Sequence, residues 1–76
     1  MAPRMRGFDA KRMGRLLRAK RELAGLSRPE LAAMAQVSLK ALYQYEIGER
    51  VPSAPVAFKL LMALGLDYDE ARRIFS

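Results

Sequence analysis

The chain has 76 residues, 51% of them hydrophobic, and a formal net charge of +6. With no cysteine there can be no disulfide, and without histidine a zinc site is not expected, so a small domain must hold together by apolar packing alone. No apolar run approaches the roughly 20 residues needed to cross a bilayer, and none follows the basic start "MAPRMR". Neither a membrane span nor a cleaved leader is therefore expected, and the reading is of a soluble cytoplasmic protein.

In chain order, residues 1–8 read as a mobile basic arm, ahead of a single domain over 9–76. Asp9 is placed to cap a first helix running to about residue 24. Its apolar stripe is Met13, Leu16, Leu17, Leu23 and Ala24, with Lys11, Arg15, Arg18 and Glu22 opposite. Gly25 ends it with a positive φ. "SRPE" at 27–30 is a capping box, in which Ser27 and Glu30 each satisfy the other's backbone amide, with Pro29 in the tolerant first turn. A second helix follows over 28–35, with Leu31, Ala32 and Met34 as packing positions. Gln36 and Val37 make a short turn, and Ser38 caps a third helix over 39–46 that Gly48 breaks. After the loop "ERVPSAP", a fourth helix over 55–64 is the most apolar and is expected to be central, with Val56, Leu60, Leu61, Met62 and Leu64. Gly65 closes it. "DYDE" at 67–70 is a second capping box, from which a fifth helix is expected to run to about residue 75. The expected fold is all-α, a compact five-helix bundle.

The charge is unevenly spread. Residues 1–28 carry nine basic groups against two acidic ones, and residues 29–76 carry five against six. One end of the chain therefore looks like a surface for a polyanion.

Residues 28–47 hold the central signal. Two short helices are joined by about three residues. Leu31 and Leu42 can meet across the pair, Ala32 is small at the closest approach, Val37 plugs the turn and Tyr45 completes the inner face. This is the spacing of a helix-turn-helix, whose second helix projects from the body. Its outward residues, Leu39, Lys40, Tyr43 and Gln44, make neither a solubilising face nor a core.

"LLRAKRELAGLSRPELAAMAQVS", "ALYQYEIGERVPS" and "LLMALGL" together resemble the Cro/C1-type (XRE family) helix-turn-helix domains of phage repressors and bacterial regulators, over roughly residues 11–70. The resemblance implies a lambda-repressor-like fold of five helices, with the third as recognition helix. It implies sequence-specific binding of double-stranded DNA by a repressor-like transcriptional regulator, bacterial or phage-encoded and nucleoid-associated, often a homodimer on a two-fold operator. It also implies an ion pair between Arg21 and Glu46, and for the inward-lying Arg21 a partner makes physical sense. In a major groove, Gln44 can bond adenine, Lys40 can donate to guanine or a phosphate, Leu39 can pack on a thymine methyl, and Ser38 can reach a base edge or phosphate. Backbone contacts are assigned to Arg28, Tyr43 and Arg50, with Lys11 and Arg12, together with Arg4 and Arg6 of the arm, extending the grip. Three departures stand out: Gln36 occupies a turn position that is often glycine, Lys20 falls within the apolar stripe, and Leu39 replaces a commonly polar contact.

Catalysis has little to work with: histidine and cysteine are absent, there is no phosphate-binding glycine loop, and Asp67, Asp69 and Glu70 are best read as helix-start charges. No enzyme activity, cofactor or metal is expected. The alternative is a protein-interaction module, or an antitoxin or phage switch component, using the same fold. The stripe Tyr68, Ala71, Ile74 and Phe75 would be its seat or a homodimer seam.

Overall fold

The computed structural model describes residues 9–67 and 69. Four helices are formed there: α1 (Ala10–Leu23), α2 (Arg28–Ala35), α3 (Leu39–Ile47) and α4 (Ala54–Leu64). Each begins on a side chain that takes up amides the helix leaves unpaired. Asp9 accepts from the Lys11 and Arg12 amides at 3.0 and 3.1 Å. Ser38 accepts from Ala41 at 3.0 Å and Ser53 from Val56 at 3.4 Å. At α2 the capping box is complete, with Glu30 N–H donating to Ser27 Oγ (3.1 Å) and Ser27 N–H to Glu30 Oε1 (2.7 Å). Those bonds hold the Glu30 carboxyl below its usual pKa. Gly25, Gly48 and Gly65 take positive φ at the other ends of α1, α3 and α4.

The turn between α2 and α3 is closed by Gln36 in the left-handed region, at φ 58° and ψ 42°. It is the only non-glycine residue with positive φ among the described residues. A side chain there costs on the order of 1–2 kcal/mol, and glycine would avoid that cost while adding about 0.4–1 kcal/mol of freedom to the unfolded chain. Gln36→Gly is therefore expected to raise stability by about 0.5–1 kcal/mol, read as a higher urea midpoint at unchanged slope.

Leu17, Leu31, Leu42 and Leu60 are fully buried, joined by Ala32, Ala35, Ala41 and Tyr45. Leu26, Val37, Val56, Ala63 and Leu64 pack around them. α1 packs on α3, and α2 packs on both α3 and α4.

Several sequence-based expectations are corrected here. The five-helix bundle is not what the structure contains: the described residues form four helices. Of the expected fifth helix only Asp69 is described, with a helical backbone, and residue 68 and residues 70–76 lie outside the described residues. A capping box marks only where a helix can start, not how far it runs. α4 is not central, since Leu60 is its one buried residue and Met62, nearly opposite, is exposed. Leu23 is also exposed, because six residues from Leu17 is about 120° round the helix. The buried stripe of α1 is instead Met13, Gly14, Leu17 and Arg21. Met34 faces solvent on the far side of Leu31 from Ala32 and Ala35.

Candidate nucleic-acid interface

α3 is held by its inner side. Leu42 and Tyr45 enter the core. One residue on, the carboxylate of Glu46 is almost fully enclosed and receives three charged hydrogen bonds. Arg21 Nε donates to Oε2 at 2.7 Å and Arg21 Nη2 to Oε1 at 3.2 Å, while Arg28 Nε donates to Oε1 at 2.9 Å. Arg21 Nη1 also donates to the Leu26 carbonyl at 2.9 Å, pinning the α1–α2 loop to the same group. The bond to Glu46 holds the Arg21 guanidinium above its ordinary value despite burial, so it stays charged throughout the pH range of the folded protein. Among the described residues no buried side-chain nitrogen or oxygen lacks a hydrogen-bond partner.

A second attachment lies in the backbone. Gly14 is buried against the end of α3, where a Cβ would stand 2.5 Å from the Tyr45 carbonyl oxygen and collide with the Glu46 carbonyl as well. Past the helix end, a Cβ on Gly48 would meet the Lys11 Cα at 2.8 Å. The C-terminal half of α3 therefore lies directly on α1, through contacts that only glycine permits.

With that side committed, the opposite side is open. Leu39 is 49% and Tyr43 47% exposed, and Ser38 and Lys40 are exposed beside them. Ser38 Oγ accepts the Ala41 amide and keeps its own proton to donate outward. Gln44 is half-buried, its Oε1 3.5 Å from Arg50 Nη1, so Arg50 influences how the amide is aimed. Two cations lie over rings of the same helix, Arg28 over Tyr43 at 5.2 Å and Arg50 over Tyr45 at 5.7 Å. Arg28, Pro29, Leu39, Lys40 and Tyr43 line one shallow groove with mainly apolar walls.

The structure thus brings Ser38, Leu39, Lys40, Tyr43 and Gln44 onto or beside one face with Arg28 and Arg50. Lys11 reaches the end of α3 through Gly48, and Arg12 is exposed on the first turn of α1. Arg4 and Arg6 lie outside the described residues. Sequence reasoning missed two features. Arg28 is drawn into the Glu46 cluster as well as standing near the open face, and the contact spans 18 positions with no local pattern to mark it. Gly14 had a usable signal: a mid-helix glycine on the stripe of Met13 and Leu17 points to close backbone approach.

Residues 17–70 match the helix-turn-helix family model. The chain belongs to the helix-turn-helix family. Within this XRE-type group it is 44% identical over 54 residues to proteins named as HTH-type transcriptional regulatory proteins in Methanococcus maripaludis and Methanocaldococcus jannaschii. The match covers 71% of this chain but 17% of each of those relatives. The fold also matches the crystal structure of the restriction-modification controller protein C.AhdI from Aeromonas hydrophila, with a TM-score of 0.79 and 30% identity, covering 83% of this chain and 96% of that one. No helix among the described residues is long and apolar enough to cross a membrane, and no group of three or more acidic residues there is placed to hold a metal ion.

Proposed function

We propose that this helix-turn-helix protein is a sequence-specific DNA-binding transcriptional regulator that presents α3 to the major groove of duplex DNA. The coarse reading, a DNA-binding regulator, is supported by the family match and by the named relatives. The finer reading rests on one observation: α3 is anchored along its inner side, while Leu39, Lys40 and Tyr43 stand open beside the cations Arg28 and Arg50. In this reading Lys40 donates to guanine, Gln44 pairs with adenine, Leu39 meets a thymine methyl, and Ser38 donates to a base edge or phosphate. Arg28, Tyr43, Arg50, Lys11 and Arg12 meet the backbone, and Arg4 and Arg6 of the arm over 1–8 add to the charge. The rest of the chain, 9–76, acts as one domain. As a homodimer it would set two copies of α3 about 34 Å apart on a two-fold repressor site, in the cytoplasm.

The test is a titration with a site selected from random duplexes, in rising salt. Affinity is expected to fall steeply with salt. Lys40→Ala and Gln44→Ala are each expected to lose about 1–3 kcal/mol of preference at one base position, while Arg12→Ala weakens all sequences alike. Sequence preference untouched by both α3 substitutions would refute the assignment of the reading face.

A further inference from the structure

We propose that Arg50 is a positioning residue for base readout: by holding the oxygen of the Gln44 amide it fixes which end of that amide meets which base atom, and so makes the site choose adenine over guanine. The inference rests on the DNA-binding reading above and adds to it the origin of one specificity.

Arg50 lies beyond the end of α3 in sequence but beside its last turn in space. Gly48, at φ 82°, turns the chain back, and the Glu49 and Arg50 amides both donate to the Gln44 carbonyl, at 2.9 and 3.3 Å. The guanidinium then stands over the ring of Tyr45, 5.7 Å from its centre, and Tyr45 is buried in the core. The long side chain thus starts from a pinned backbone and rests on a fixed ring. From there its Nη1 donates to Gln44 Oε1 at 3.5 Å. Gln44 is half-buried, which narrows the room its side chain has to swing.

The bond is long and lies at the surface, so it adds little to the stability of the free protein. Its effect is on orientation. A guanidinium has only N–H groups to offer, so the amide must turn its oxygen to Arg50 and its NH2 away. One lone pair of Oε1 is left over, with both Nε2 protons. That is what adenine needs in the major groove: an acceptor for N6–H and a donor for N7. Guanine presents O6 in place of N6–H, so a locked amide would set oxygen against oxygen. An unlocked amide escapes that clash by turning over and donating to O6 instead. Arg50 removes the escape, while its remaining N–H groups can still meet a phosphate.

The experiment uses the full chain and the selected duplex, in which the Gln44 position is the one whose base preference Gln44→Ala removes. Duplexes with adenine or guanine there, each with its complementary base, are compared, so that a general loss of affinity divides out. Adenine is expected to be favoured about tenfold, within the range for one bidentate pair. Arg50→Ala is expected to bring the ratio down to about threefold, since guanine then gains a bond that the locked amide denies it. Arg50→Met keeps an apolar stem over the Tyr45 ring and loses only the donors. It is expected to match Arg50→Ala, which separates the lost bond from any loss of packing. In the Gln44→Ala background neither Arg50 change is expected to move the ratio. An adenine preference that survives both Arg50 variants, with affinity lowered for all sequences, makes Arg50 a backbone contact alone and overturns the inference. A ratio that Arg50→Ala moves equally with and without Gln44 makes Arg50 a base reader in its own right and overturns it too. Either result leaves the DNA-binding reading standing. No base position that answers to Gln44→Ala, or no sequence-selective binding at all, removes the reading beneath and this inference with it.

Discussion

Glu46→Ala is expected to cost about 3–5 kcal/mol, the range for removing one partner of a buried ion pair. The carboxylate is 1% exposed and its principal partner, the Arg21 side chain, 8% exposed, so neither can relax into water. Without Glu46, the Arg21 guanidinium keeps its bond to the Leu26 carbonyl but has no counter-charge in a dry site. A chain of this length has a total stability of roughly 4–11 kcal/mol, so the loss removes a large fraction of the whole. Urea denaturation measures the loss directly. Arg28→Ala is a useful contrast. Its side chain is 33% exposed, its share of the cluster is screened by solvent, and its removal should cost clearly less. Replacing Arg21 and Glu46 together with apolar residues of similar volume should recover much of the stability, because the desolvation of both charges disappears with them. A loss of under 1 kcal/mol in Glu46→Ala would mean that the cluster opens to water in solution.

Gly14→Ala should destabilise by about 3 kcal/mol, although the same exchange in an ordinary helix interior stabilises by roughly 0.5–1 kcal/mol. The sign reverses because the added methyl group meets backbone rather than a movable side chain. It would sit against the carbonyls of Tyr45 and Glu46. Relief requires α1 and α3 to separate, which also draws Glu46 away from Arg21. Gly25→Ala provides the comparison. Unlike Gly14 it has a positive φ, but no atom lies within 4 Å of the new Cβ, so only the backbone cost of about 1–2 kcal/mol applies. Thermal unfolding of the two variants side by side distinguishes collision from strain. Equal losses would indicate that the helix contact is looser than the structure has it.

Most helix boundaries were legible because they are written in local chemistry. Asp9, Ser27 and Ser38 are short polar caps, Gly25, Gly48 and Gly65 are stops, and the first four helices end within a residue or so of where these signals put them. The inner faces of α2 and α3 were legible in part, through Leu31, Ala32, Leu42 and Tyr45. What sequence could not supply was depth. Hydrophobicity ranked α4 as central, but the chain has more apolar side chains than the core can enclose, leaving Phe58 and Met62 outside. The pairing of Arg28 with Glu46 is a matter of how two helices cross, and no spacing along the chain encodes it. The fifth helix was expected from the capping box at 67–70 and from the family resemblance, and a start signal carries no information about what the segment would pack on.

The attachment of α3 has a consequence for retargeting. Its foundations are Gly14, Arg21, Leu42, Tyr45 and Glu46, while the positions facing away, Leu39, Lys40 and Tyr43, contribute little to keeping it seated. Within the nine-residue helix itself, foundation (Leu42, Tyr45 and Glu46) and lettering are thus written in different residues. A combinatorial library varied only at the outward positions could therefore explore new target sequences while every member inherits the same chassis.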